Sequence, residues 1–341
     1  MAYNGTKVLD IHAHVSFPNN GGNVLASMIA SNTPTKADPR KAGGLPDVGM
    51  GEQAIQTRMN RHIELMDEAN IDAQLLGPRP YMMLGYMQDH LMGPWARFNN
   101  HMIAKQCEVY PTRFVGAAML PQNAHADDLK HCLPELEYCH KELGFAGIYL
   151  SPDPRGDRSS PGMDQKYWDP VYEYAQKNKM VIIVHGTNCT DKRIATIPHN
   201  YQIGFVWEQY LATQLLSHGD VFKRFPELKV VVCHCGGALD RFIKTDHHLA
   251  QKDLSKNLFF DTCALDIDYL EAAIKQRGVN NMLFGTETPG SGSAVRPETG
   301  RPSDDLVPVI SKMSFLSEAD KLKIFHGNSA AVCPALAKIA A

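Results

Sequence analysis

The sequence predicts an α/β fold, a (β/α)8 TIM barrel with long βα loops over the C-terminal face. Three observations carry that expectation. Short apolar runs recur eight times along the chain, each ending in Gly, Pro or a polar residue, which is the pattern of buried parallel strands. Segments with apolar residues at helical spacing lie between them. No Gly-x-Gly-x-x-Gly turn follows the first run, which argues against a dinucleotide-binding open sheet.

The runs are residues 8–14 (VLDIHAH), 72–80 (DAQLLGPRP), 113–121 (RFVGAAMLP), 144–152 (GFAGIYLSP), 180–186 (MVIIVHG), 229–237 (KVVVCHCGG), 257–264 (NLFFDTCA) and 281–289 (NMLFGTETP). Amphipathic stretches at 54–69, 93–110, 126–143 and 270–277 supply covering helices. Eight such units are the number that closes a parallel barrel. An open doubly wound sheet is the competing arrangement, since a sequence does not display closure. The 341 residues show no dividing linker and accord with one barrel domain over 1–341, barrels of this kind spanning about 200 to more than 400 residues.

The stretch from 16 to about 51 is rich in Gly, Pro, Asn and Ser and follows the first strand. In a barrel it would sit on the C-terminal face, where long βα loops act as lids or substrate walls. Residues 151–162 and 289–304 are loop-like in the same way.

Composition narrows the function. A net charge of −3 and a pI near 6.6 leave no basic excess for phosphate backbones, so nucleic acid is not an expected partner. No leader-like segment and no run of roughly 20 apolar residues is present, which gives the expectation of a cytoplasmic protein without membrane contact. Eight scattered cysteines fit reduced thiols, and Cys233 and Cys235 read as small apolar strand residues.

The histidines carry the chemistry. His12 and His14 are two apart on the first strand, so both face one side near the barrel mouth. Alone, an HxH pair arises by chance. His185, His234 and Glu287 close the fifth, sixth and eighth runs, however, and strand ends converge at one rim. Imidazole and carboxylate together suit one divalent metal ion, zinc in the first place and manganese as the alternative. Arg79 after the second strand and Arg296 after the eighth could each fork onto a substrate carboxylate, with Arg155 a further candidate. Tyr81, Asn188 and Tyr201 read as pocket hydrogen-bonders and Trp207 as packing.

On LDIHAH, FVGAAMLP, ELGFAGIYLSPDP, VIIVHG, CHCGGALDRF and the NSAAVCP ending, the chain resembles the amidohydrolase superfamily over essentially its full length. Within it, the likeness is to the branch of aminocarboxymuconate semialdehyde decarboxylase and related aromatic-acid decarboxylases. GPRP, SPDPRGD, YWDPVYE and the glutamate of GTET draw it towards the 4-oxalomesaconate hydratases, with lignin-pathway meta-cleavage C–C hydrolases as near relatives. The hydratases read HGGGA where this chain has HCGGA. The resemblance implies a metal held by His12, His14, His185 and Glu287, with His234 as proton carrier. A ligand role for His234 is the competing assignment. The resemblance also implies a small carboxylate substrate, a homodimer or higher homo-oligomer, and hydration of an unsaturated keto-polycarboxylate from aromatic or lignin-derived compounds. C–C hydrolysis, non-oxidative decarboxylation and a non-catalytic metal-binding barrel are the alternatives.

Overall fold

The computed structural model describes residues 3–16, 25, 52–198, 200–242, 254, 256–290 and 294–340. Eight strands form one parallel sheet in sequential order. They are β1 (Leu9–His14), β2 (Ala73–Gly77), β3 (Phe114–Met119), β4 (Gly147–Leu150), β5 (Val181–Val184), β6 (Val230–Val232), β7 (Leu258–Asp261) and β8 (Met282–Leu283). Backbone hydrogen bonds from Ile11 N to Phe284 O (2.9 Å) and from Glu287 N to His12 O (2.8 Å) join the last strand region to the first. The sheet therefore curls round on itself as a (β/α)8 barrel, and the open-sheet alternative falls.

All eight predicted runs contain a strand, each shorter than its apolar run. The difference matters at the top of the barrel. His185, His234 and Glu287 lie beyond the last residues of their strands, in the loops that leave the C-terminal rim. The expected helices are α1 (Glu52–Glu68), α2 (Asp89–Val109), α3 (Leu133–Lys141) and, further on, α6 (Ile267–Arg277). Two more, α4 (Asp169–Asn178) and α5 (Asn200–His218), cover the middle strands. In α1 the buried positions Ile55, Met59, His62 and Met66 keep the helical period that the sequence displays. Most of the stretch from 16 to 51, expected to be a loop over the face, lies outside the described residues.

Alternation along the strands divides the apolar residues into two sets. Leu9, Ile11, Leu75, Val115, Tyr149, Ile183, Val231, Phe259 and Leu283 fill the barrel, and Leu336 of the terminal helix α7 (Pro334–Ala340) packs into the same cluster. Leu76, Ala118, Ile148, Ile182, Val232 and Phe260 face the helices.

Helix α5 departs from the amphipathic pattern. Its buried stripe is Phe205, Glu208, Gln209, Ala212, Thr213 and Leu216, while Ile203, Trp207 and Leu211 are exposed. Trp207, expected to pack, is 53% exposed with the Arg158 guanidinium carbon 5.7 Å from its ring centroid. It falls between the inward positions of the helix, so its size does not bring it inside. Among the described residues no helix is long and apolar enough to cross a membrane.

Tyr149 forms the floor under the strand ends, fully buried, with its ring 6.0 Å from His14 and 6.1 Å from His185. Gly77 at the end of β2 makes room for it, because a Cβ there would lie 2.1 Å from the Tyr149 ring. Gly77→Ala should therefore lower stability by about 1–3 kcal/mol through forced repacking of the ring. Thermal unfolding checks it: an unchanged midpoint would show that Tyr149 does not depend on this glycine.

Candidate metal centre

The two histidines of β1 reach the barrel mouth through a bulge. Asp10 pairs with Gln74 and Ala13 with Leu76, so β1 carries one more residue than β2 across this interval. Leu9 and Ile11 point into the barrel, and strict alternation would send His12 and His14 towards the helices. The extra residue shifts the phase and keeps both imidazoles inside. Their ring centroids lie 5.0 Å apart, and His185 stands 5.0 and 5.3 Å from them.

A buried network holds the bulge. The Asp10 carboxylate accepts from His12 N (2.9 Å), Gln74 Nε2 (2.9 Å), Thr286 Oγ1 (2.6 Å) and Thr286 N (3.2 Å). Gln74 also donates to Thr288 O at 2.8 Å and has its Oε1 2.8 Å from His62 Nε2. Burial pushes the His62 pKa down to about 3, so this imidazole is neutral and donates from Nε2 to the Gln74 amide oxygen.

Each of the three buried imidazoles has its Nδ1 committed. His12 Nδ1 lies 2.7 Å from Asp261 Oδ2, His14 Nδ1 2.9 Å from Pro78 O, and His185 Nδ1 2.6 Å from Gly186 O. A carbonyl only accepts, so His14 and His185 carry their proton on Nδ1 and turn the lone pair of Nε2 inward. For His14 and His185, burial drives the pKa down, to about 4 for His14. Burial also opposes a charge on His12, but Asp261 outweighs it and raises the pKa. All three Nε2 atoms are buried and have no hydrogen-bond partner among the described residues.

Glu287 faces these lone pairs. Its Oε1 lies 3.5 Å from His14 Nε2 and 4.0 Å from His185 Nε2. One ligand atom from each of His12, His14, His185 and Glu287 lies within 4.8 Å of the others. Burial works against the Glu287 carboxylate, yet His14 and His234 outweigh it and hold its pKa well below the ordinary range. The Nε2 lone pairs of His14 and His185, Nε2 of His12 and the Glu287 carboxylate thus converge on one point. A divalent cation satisfies such a set, and nitrogen and oxygen ligands in this number suit a first-row ion.

His234 stands apart from the other three. Its Nδ1 meets the amide of the buried Gln209, with Nε2 at 2.9 Å and Oε1 at 3.1 Å, and its own Nε2 is 3.7 Å from Glu287 Oε2. It begins a left-handed run, with φ of 52° at His234, 58° at Cys235 and 83° at both Gly236 and Gly237. Glycine is required at 237, where a Cβ would lie 2.2 Å from Val206 O. Strained backbone of this kind gathers at functional sites, and Glu287 shares it with a φ of 66°. A cavity of about 340 Å³ opens beside the pair, walled by Phe205, Val206, Cys263, Leu265, Asp266 and Tyr269.

The expected substrate residues divide. Arg79 is half-buried and donates from Nη1 to Pro289 O at 3.1 Å. Burial lowers its pKa, and the charges of Tyr81 and Glu287 act against that. Tyr81 is 60% exposed at the rim. Asn188 donates to Pro154 O at 3.0 Å and clips the loops after β4 and β5 together. Arg296 is buried and donates from Nη2 to Leu265 O (2.6 Å) and Ser303 O (2.8 Å), so it braces the cavity wall rather than lining it. Arg155 pairs with Asp157 at 3.1 Å in its own loop. The side chain of Tyr201 lies outside the described residues.

Residues 9–334 match the amidohydrolase family profile. The chain belongs to the amidohydrolase family. It is 32% identical, over 84% of its length and 85% of the relative's, to a 2-keto-4-carboxy-3-hexenedioate hydratase from Sphingobium sp.. A gamma-resorcylate decarboxylase from Polaromonas sp. is 27% identical over 84% of this chain and 91% of its own. Among solved structures, 4-oxalomesaconate hydratase from Rhodopseudomonas palustris superposes with a TM-score of 0.78 at 26% identity, covering 97% of each chain. A dihydroxybenzoic acid decarboxylase from Polaromonas sp. with bound manganese shares the fold, with a TM-score of 0.66 at 21% identity over 96% of this chain and 97% of its own.

Sequence reasoning passed over Asp10, Asp261, Gln209 and Cys263. An aspartate ending an apolar barrel strand was the available signal for Asp261. Its carboxylate accepts from Cys263 N (3.0 Å) and Cys235 N (3.3 Å) as well as meeting His12. Asp261→Asn should therefore weaken divalent-ion binding by about 10–100-fold, as loss of an outer partner of a histidine ligand does. Calorimetric titration with zinc measures it, and wild-type affinity in the variant would remove Asp261 from the centre's support.

Proposed function

We propose that this amidohydrolase is a divalent-metal-dependent hydratase that adds water to the C=C bond of an unsaturated keto-polycarboxylate in aromatic-compound breakdown. The observation that carries the metal is the convergence of three orphaned, buried imidazole nitrogens with one carboxylate. The hydratase relatives carry the reaction class. His12, His14, His185 and Glu287 are assigned as ligands of one ion, zinc on the strength of the imidazole-rich set, with manganese as the alternative. When bound, such an ion lowers the pKa of water from 15.7 towards about 7 and polarises a substrate oxygen.

The remaining work falls to the chain. His234 takes or gives the proton at the carbon next to the site of water addition, since its Nε2 faces the centre and the cavity. Gln209 can accept from Nδ1–H or donate to a bare Nδ1, so it serves either tautomer of that ring. Arg79 anchors a substrate carboxylate at the β2 side, where its N–H groups other than Nη1 make no hydrogen bond among the described residues. Phe205, Val206 and Leu265 take the less polar part of the molecule, while Asp266 repels a further carboxylate from that wall.

The decarboxylase relatives favour one second reading, non-oxidative decarboxylation, in which His234 protonates the carbon that loses CO2. Product masses separate the reactions. Gain of water without fragmentation is expected, loss of CO2 would replace hydration by decarboxylation, and two fragments would make the enzyme a C–C hydrolase. In the same preparation about one equivalent of divalent ion per chain is expected. Less than about a tenth, with no response to added zinc or manganese, rules out the metal centre. His234→Asn should keep the bound ion and lower turnover by about 100-fold or more. Loss of the ion in that variant would make His234 a ligand.

A further inference from the structure

His62 of α1 belongs neither to the four convergent ligand residues nor to the cavity wall, and the hydration mechanism gives it no part. A line of buried hydrogen bonds nevertheless runs through it to the centre. Ser16, two residues beyond His14, donates its backbone N–H to Gln106 Oε1 on α2 at 3.0 Å. Gln106 turns its Nε2 to His62 Nδ1 at 2.7 Å, and the Ser16 hydroxyl, 2.9 Å from the same nitrogen, can donate there as well. On the other side of the ring, His62 Nε2 meets Gln74 Oε1, and Gln74 Nε2 donates to Asp10 Oδ2 and Thr288 O. Ser16, Gln106, His62, Gln74 and Asp10 are all buried.

Both ends of this line run one way. A backbone N–H only donates, so Gln106 receives it on oxygen and has its NH2 left for His62. A carboxylate and a carbonyl only accept, so Gln74 gives its NH2 to Asp10 and Thr288 and keeps its oxygen for His62. Between these two fixed amides the chain needs a group that accepts on one side and donates on the other. A neutral imidazole with its proton on Nε2 does both. The opposite tautomer would set an N–H against the Gln106 NH2 and a bare nitrogen against the Gln74 oxygen, and an imidazolium would have no lone pair for Gln106.

We propose that His62 is a positioning residue for the metal centre, a directional link that holds the Gln74 oxygen so that the Gln74 NH2 reaches Asp10 and Thr288 O together. Through Gln74 it steadies both segments that carry ligands. Asp10 accepts from His12 N and from Thr286, and Thr288 directly follows Glu287. Without the ring, the buried Gln74 oxygen loses its donor, and the amide regains one only by turning away from Asp10 or Thr288 O. His62 touches neither the ion nor the substrate, so its effect reaches the ligands only along this line.

The inference rests on the metal-centre reading, and two measurements keep them apart. In metal-free protein carrying isotope-labelled histidine, long-range proton–nitrogen correlations should show His62, identified by the signals missing from His62→Gln, as the neutral Nε2–H tautomer at neutral pH. The Nδ1–H tautomer or an imidazolium overturns the proposal alone, whatever the protein binds, and this reading holds even where a more disruptive variant fails to fold. Calorimetric titration with zinc then compares the wild type with His62→Gln and His62→Leu. Glutamine has one accepting and one donating end and should keep an affinity near that of the wild type. Leucine has neither and should weaken zinc binding by about 10-fold or more, as loss of an outer partner does. In a Gln74→Leu background, where the line is already cut, His62→Leu should cost zinc binding nothing further. Wild-type affinity in His62→Leu, equal weakening in His62→Gln and His62→Leu, or an additive loss in the double variant overturns the positioning role. A wild type that binds no zinc or manganese overturns the metal-centre reading and leaves His62 no centre to position.

Discussion

The arrangement of the site depends on one buried carboxylate. A bulge leaves a backbone N–H without its place in the ladder, and the one in β1 lies where Asp10 and His12 are fully buried. Asp10 accepts that N–H from His12, and with its remaining lone pairs it accepts twice from Thr286 and once from Gln74. The bulge turns His12 and His14 inward, and Thr286 is the residue before Glu287. A single side chain thus sets where two histidines leave β1 and where the glutamate leaves the β8 loop. Removing it would leave four donors unsatisfied, at about 1–3 kcal/mol for each buried group.

From there the chemistry is a matter of which nitrogen carries the proton. Carbonyls at Pro78 and Gly186 oblige His14 and His185 to donate from Nδ1. Their inward nitrogens can then only accept, and they meet a carboxylate that also only accepts. His234 is built differently because its outer partner is an amide, which can accept or donate. The division between three fixed rings and one adaptable ring is written in the outer partners, not in the imidazoles themselves. Helix α5 supplies that amide, and its buried face carries Glu208, Gln209 and Thr213 among Phe205, Ala212 and Leu216. Thr213 on the same face holds the left-handed turn through Gly236 O at 3.1 Å.

Much of this was legible in the sequence. The eight apolar runs each contain a strand, and the histidines and glutamate at their ends meet at one rim, because a parallel barrel places every strand's C-terminus on the same side. What was not legible depends on contacts between distant segments. The phase shift in β1 cannot be read from LDIHAH, which obeys simple alternation on paper and reaches the mouth only through the bulge. Arg296 looked like an anion binder because arginines in such loops often are, but its carbonyl partners at Leu265 and Ser303 come from segments whose approach no local pattern reveals. Trp207, expected to pack, is exposed because it falls between the inward positions of α5. Gln209 gave no signal, since a glutamine inside a helix has no pattern of its own.

The strained residues complete the account. His234, Cys235 and Glu287 each hold a left-handed backbone, at a cost of about 1–3 kcal/mol apiece, and such conformations persist only where the surroundings over-determine them. Here two carboxylates do so. Asp261 binds Cys235 N, Cys263 N and the His12 ring, which fixes the turn that carries His234 to the strand that carries His12. Asp10 and the His12 carbonyl fix Glu287 in the same way. Neither aspartate lines the cavity, yet between them they tie together His12, His234 and Glu287. The cavity wall of Phe205, Leu265 and Asp266 is built by other segments, the start of α5 and the loop after β7. That separation is the physical basis on which one barrel rim can support hydration in some relatives and decarboxylation in others.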